Sequence, residues 1–170
     1  GGPALGPQVT PGDKLVRRTA FRTLVLGVFL LTVNGCGDDP LSPEVEALAS
    51  GRARWESTGY TDYTYLYRLS CFCPPQLLET TRVTVSDGQI TEVYLVDSDT
   101  PAPLDSYNLY HTIDGLFDRL AESLAHDPVV FEVTYDGAAG YPTSAQIDIS
   151  EQIADEEYSF TASDLAAASP

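Results

Sequence analysis

Apolar positions along this chain first run together, then recur at helical spacing, and finally alternate. Residues 24–33 carry no charge and stop at Asn34-Gly35. Beyond Pro40, Val45, Leu48, Arg52 and Trp55 fall at i, i+3, i+7 and i+10, one face of a helix. Ser42 is a favoured N-cap and Pro43 suits the first helical position. Glu44 and Glu46 complement the positive end of the helix dipole, and Gly59 ends the helix. Residues 60–73 read as an aromatic strand in which Tyr63, Tyr65, Tyr67, Leu69, Cys71 and Cys73 share a face, halted by Pro74-Pro75.

A hairpin follows over residues 81–85 and 89–96. A three-residue loop with Gly88 left-handed puts Val83, Val85, Val93 and Leu95 on one face. A two-residue Asp-Gly turn would bring Glu92 into that apolar row, so the bulged loop is expected. Residues 97–110 read as a loop, marked by Pro101 and Pro103. Thr112 caps a second helix with Ile113, Leu116, Phe117, Leu120 and Leu124 on its apolar face. Three alternating strands complete the pattern: Val129, Phe131, Val133 and Tyr135; Ala145, Ile147 and Ile149; Tyr158 and Phe160. The order is α-β-β-β-α-β-β-β. It predicts an α+β domain, a six-stranded, mainly antiparallel sheet with two helices on one face.

The run at residues 24–33 is too short to span a bilayer core, which needs about 20 residues. Lys14, Arg17, Arg18 and Arg22 precede it, the arrangement of a signal peptide. Val33-Asn34-Gly35-Cys36 resembles the bacterial lipobox, with an aliphatic residue three before the Cys and a small one just before it. The resemblance implies diacylglycerol transfer to Cys36, cleavage between Gly35 and Cys36, and acylation, as by palmitate, of the new amino terminus. Two or three chains on one residue would anchor the protein stably, where one alone is marginal. Gly37, in place of Asp, tilts the choice toward the outer membrane in a host that has two. The expected organisation is an extension outside the fold (1–13), a lipoprotein signal peptide (14–35), a tether (36–41) and one domain (42–170). A tether this short reaches about 20 Å, which keeps the domain beside a membrane and outside the cytoplasm.

Charge sharpens this picture. Four of the nine basic residues and one of the 25 acidic ones precede Cys36, which leaves five against 24 and a net charge of −19 beyond it. Such a domain repels nucleic acid and anionic headgroups.

Cys71 and Cys73 are the foremost candidates for chemistry. An oxidising compartment favours a disulfide, but residues i and i+2 of an extended strand lie about 6.5 Å apart at Cα, near the bridging limit. Local twist before Pro74-Pro75 would close that gap. A buried thiol pair, a metal ligand pair and a redox pair stay open as readings. The metal reading lacks ligands, since only His111 and His126 could join the cysteines as nitrogen donors, and Zn²⁺ usually takes four ligands. His111, before the Thr112 cap, and His126, in the last turn of the second helix, read as surface or capping residues. Asp97, Asp99 and Asp105, and Asp155, Glu156 and Glu157, cluster in two loops without the Ca²⁺-loop pattern. Tyr63, Tyr65 and Tyr67 form a stripe that packs under a helix or lines a binding face. No nucleophile elbow or zinc-protease motif occurs, and the residues imply no cofactor.

Trp55 ahead of a Tyr-Thr-rich strand, Cys71-Phe72-Cys73-Pro74, Thr112-Ile113-Asp114-Gly115-Leu116-Phe117-Asp118, and Tyr135-Asp136 followed by Gly140-Tyr141-Pro142 resemble a bacterial lipoprotein family catalogued only as a domain of unknown function. The resemblance spans roughly residues 44–165. It implies an exported lipoprotein with an α+β domain and brings no activity. The expected function is that of a non-enzymatic binding or assembly module of the cell envelope, with an envelope protein as partner. A small-ligand or metal-binding lipoprotein using Cys71 and Cys73 is the alternative, and an enzyme comes third.

Overall fold

The computed structural model describes residues 42–168. Gly35, Cys36, the expected signal peptide and the tether lie outside the described residues.

Helix α1, Pro43–Thr58, starts as its sequence dictates: the Ser42 hydroxyl accepts from the Val45 amide at 3.3 Å, and Pro43 occupies the first turn. It ends on Gly59 at φ 67°, the left-handed cap. Strand β1 runs Tyr63–Cys71, β2 Thr81–Ser86 and β3 Gln89–Leu95. A two-residue strand β4, Thr100–Pro101, precedes helix α2, Ile113–Leu124. Strands β5, Val130–Tyr135, β6, Pro142–Asp148, and β7, Tyr158–Ala167, complete the domain. The sheet order is β4-β3-β2-β1-β7-β6-β5, with every neighbouring pair antiparallel. Two meanders are thus joined where β1 pairs with β7.

The sheet has seven strands among the described residues, where the sequence pattern gives six. The seventh is β4, inside the span expected as a loop, which also holds a 3-10 turn at Leu104–Leu109. Thr100 pairs with Leu95 and Pro101 with Tyr94. Two residues carry no readable alternation, and proline is tolerated here because β4 is an edge.

The β2–β3 turn also differs. Ser86 pairs with Gln89, and Asp87 (φ 49°) and Gly88 (φ 70°) form a two-residue turn with both central residues left-handed. The expected bulge exists, but it lies within β3: Val85 pairs with Ile90 and Thr84 with Glu92, so Thr91 is the extra residue. That displacement returns Glu92 to solvent and keeps Val83, Val85, Val93 and Leu95 buried. The apolar face is as expected, and the device that preserves it sits at Thr91, three residues beyond Gly88, where the turn chemistry suggested it.

Ile113, Leu116, Phe117 and Leu120 of α2 are fully buried. They share one core with Leu48 and Trp55 of α1, Tyr63, Tyr65, Tyr67 and Leu69 of β1, Ile147 of β6 and Phe160 of β7. Both helices therefore cover the same sheet face. Where the β5–β6 turn meets α1, Gly140 has φ 81°, and a Cβ there would stand 2.6 Å from the Gly51 carbonyl oxygen.

Gly140→Ala combines left-handed strain of about 1 kcal/mol with overpacking of about 1–3 kcal/mol. Gly88→Ala carries the strain alone, since nothing lies within 4 Å of its added methyl. Urea unfolding should show a loss of about 3 kcal/mol for Gly140→Ala and about 1 for Gly88→Ala; equal losses would refute the close approach.

Candidate functional site

Of the residues that carry the family resemblance, Trp55, the tyrosines of β1 and the Thr112–Asp118 run converge, and what they build is a lock between α1, α2 and the sheet. The Tyr63 hydroxyl accepts from the Ile113 amide at 2.9 Å, satisfying one of the unpaired donors at the start of α2. The Tyr65 hydroxyl donates to the His111 carbonyl. Trp55 Nε1 donates to Asp114 Oδ1 at 3.2 Å, and its ring meets Tyr63 edge-on at 5.2 Å between centroids. Thr112 caps α2 by accepting from the Gly115 amide at 3.0 Å. Arg52 pairs with Asp118 at 2.6 Å while lying over Phe117. Asp136 Oδ1 accepts from the Ala138 and Ala139 amides and shapes the turn that ends at Tyr141. The tyrosine stripe is core and lines no binding face.

Burial pushes the hydroxyls of Tyr63, Tyr67 and Tyr135 up to about 12. Tyr67 and Tyr135 also bury their hydroxyl oxygens without a partner.

The histidines do not meet a carboxylate or a cysteine. His111 is half-buried, with Nε2 3.4 Å from Arg119 Nη1; burial and that guanidinium hold it below its ordinary value, in the neutral form. It is therefore less exposed than its position suggested. His126 is exposed and lies just past α2, which ends at Leu124, rather than in its last turn.

The acidic loops serve the backbone. Asp97 accepts from the Thr80 amide at 3.0 Å and faces Arg68 at 3.6 Å. Glu156 accepts from the Ile149 and Ser150 amides, and Asp99 accepts from the Tyr94 hydroxyl at 2.6 Å. Asp105, Asp155 and Glu157 are exposed. Among the described residues, no group of three His, Cys, Asp or Glu side chains could hold a metal ion.

The sheet face away from the helices is different in kind. The pairing register places Arg68, Thr161, Ser144 and Thr134 in one row across β1, β7, β6 and β5. It places Ser70, Ser159, Gln146 and Glu132 in a second row beside it. With strands about 4.8 Å apart, each row spans about 15 Å. The rows line an open depression of about 330 Å³. Thr134 Oγ1 lies 2.8 Å from Thr143 Oγ1 and 2.7 Å from Ser144 Oγ. Hydroxyls and an amide cover the middle of this face, with Arg68 and Glu132 at opposite ends. Sequence reasoning saw only the outward positions of separate strands as polar. Their signal was composition: Ser, Thr and Gln occur where a solvated face usually alternates Lys with Glu.

On β1 the second row ends at Ser70, next to Cys71. Cys71 closes β1, and the chain bends at Phe72, so Cys73 leaves the strand on which it was expected. The bend brings the two Cα atoms to 5.2 Å, and the sulfurs are in disulfide-like contact. Joined sulfurs present no thiolate to a metal. A bridge that closes a three-residue loop contributes about 1.5 kcal/mol by chain entropy, against about 3 for a 15-residue loop. Phe72, at the tip, is 83% exposed. A second open cavity of about 470 Å³, lined by Ser70, Cys71, Phe72, Val130, Asp148 and Glu157 among others, adjoins the polar rows through Ser70, Gln146 and Ser159.

The chain matches the model of a family described as a family of unknown function (DUF6174) over residues 47–167, and it belongs to that family. The match falls on the globular part and does not reach Cys36. No curated protein and no solved structure matches the chain.

The buried phenols set the response to alkali. Below about pH 10 they are protonated in both folded and unfolded chains, so their contribution to stability is fully present. Between about 10 and 12 the unfolded chain releases protons that the folded one retains, and stability falls. The urea midpoint should be level up to about pH 10 and drop steeply above it. Ionisation of Tyr63, Tyr67 and Tyr135 in the folded domain at the ordinary phenol value would contradict this.

Proposed function

We propose that this protein is a membrane-anchored, exported lipoprotein whose domain is a non-enzymatic binding or assembly module of the cell envelope. The observation that carries this reading is the two-sidedness of the sheet. Two helices cover one face, and the residues of the family pattern hold them there. The other face is left with two ordered rows of hydrogen-bonding side chains and, among the described residues, no helix over it. Such a face recognises a partner through many weak polar contacts, with Arg68 and Glu132 setting direction by charge.

Lipidation at Cys36, with cleavage after Gly35, would hold the start of the domain within about 20 Å of the membrane. The net negative charge of the domain holds it off anionic lipid and leaves the face open to a protein partner. In the described residues no helix is long and apolar enough to cross a membrane.

Two outcomes test the proposal. Cys36→Ser should abolish fatty-acid incorporation and move the protein from the membrane to the soluble fraction; retention in the membrane without label would end the lipoprotein reading. A photo-crosslinking residue at Thr161 should yield one discrete envelope-protein adduct in intact cells, whereas the same residue at Glu122, exposed on α2, should yield none. Absence of an adduct from Thr161, or equal adducts from both sites, would reject the sheet face as the binding surface.

A further inference from the structure

We propose that Cys71 and Cys73 form a reversible dithiol–disulfide couple that exchanges with a cysteine pair of another envelope protein. Three observations point there. First, the bridge joins no separate elements: Cys71 is the last residue of β1 and Cys73 follows two positions on, just past the bend at Phe72. A structural staple would be placed across a longer loop.

Second, the geometry of the pair does not depend on its sulfurs. The Cys73 amide donates to the Cys71 carbonyl at 2.9 Å and closes the same three-residue loop, and Pro74-Pro75 stiffen the exit. Opening the bridge therefore leaves two thiols held at re-closing distance, which gives a high effective concentration for the reverse step.

Third, Cys71, half-buried against the core with Cys73, is reachable from one side. Cys71 lines the open cavity at the sheet end, and Phe72 projects beside it with most of its ring in solvent. Phe72 and Val130 offer an apolar seat, and Asp148 and Glu157 supply negative charge on the same wall. The fitting partner is an extended segment with a cysteine next to an apolar residue and basic flanks.

A partner thiolate attacks the Cys71 sulfur, the Cys71–Cys73 bond breaks, and Cys73 leaves as a thiolate that takes a proton. A second partner thiolate then attacks the partner sulfur of the mixed disulfide and releases Cys71, which is protonated in turn. The partner dithiol is oxidised to a disulfide by two electrons and the Cys71/Cys73 pair is reduced by two. A protein disulfide of higher potential runs the same steps in reverse.

The test uses full-length protein extracted from membranes. It is equilibrated with graded ratios of reduced and oxidised glutathione, trapped with maleimide and weighed. Cys71 and Cys73 should pass from no added maleimide to two within the glutathione range, with the same circular dichroism in both forms. The peptide Lys-Cys-Phe-Lys should open the bridge about tenfold faster than Glu-Cys-Phe-Glu at low salt, and Phe72→Ser should slow both. Cys73→Ser should hold the Lys peptide as a stable mixed disulfide at Cys71. A bridge that stays closed at every ratio, or opens only as the folded signal is lost, would overturn the proposal. Equal rates for the two peptides would remove the charged seat. The outcome is independent of crosslinking at Thr161, so exchange and sheet-face binding fail or succeed separately.

Discussion

The hydroxyls of buried tyrosines on the central strand set the constraint on which the rest of this structure depends. A phenol ring placed in a core brings large apolar area, but its hydroxyl must find a partner or carry a desolvation cost of about 1–3 kcal/mol. Tyr63 and Tyr65 resolve this at the start of α2, one accepting from the Ile113 amide and the other donating to the His111 carbonyl. Those two bonds fix where α2 begins over β1. The indole of Trp55 reaches Asp114 from α1 and ties the second helix to the same point. Two helices are thereby committed to one face of the sheet, and no helix of the described residues covers the opposite face.

Electrostatics follows the same division. Each of the five arginines in the described residues has a specific place in the fold. Arg52 pairs with Asp118, Arg54 donates to the Asp136 and Gly137 carbonyls, and Arg68 faces Asp97. Arg82 lies over Tyr94, and Arg119 lies 3.8 Å from the Tyr158 ring centre while touching His111. The carboxylates greatly outnumber these cations and give the domain its acidic field. Arg68 is the one cation on the polar rows, so it stands as a positive mark on a negative body. The sheet face and the Cys71–Cys73 bend adjoin one another through Ser70, Gln146 and Ser159, so the two proposed sites lie side by side.

Local pattern made most of the core legible. The helix caps at Ser42 and Thr112, the stripe Tyr63-Tyr65-Tyr67 and the apolar face of α2 were all readable because each rests on spacing within one element. What spacing could not show was anything set by a partner strand. Asp87-Gly88 reads as a hairpin turn, but only pairing with β2 reveals that the extra residue is Thr91. β4 exists only as two pairings with β3. The polar rows are the same kind of object. Arg68 and Thr161 are 93 positions apart in the chain, and no local signal joins them before β1 meets β7. Period two puts the cysteines on one strand face; the bend at Phe72, the local twist expected ahead of Pro74-Pro75, is what brings them together.

The central claim is that the uncovered sheet face is occupied when the protein is at its membrane. Ser144→Cys places a thiol in the middle of that face, and Glu122→Cys places one on the exposed side of α2. Maleimide labelling of each in intact membranes and after detergent extraction measures occupancy directly. Labelling at position 144 should be suppressed in membranes and restored on extraction, while position 122 labels equally in both. Equal labelling of position 144 before and after extraction would contradict the account.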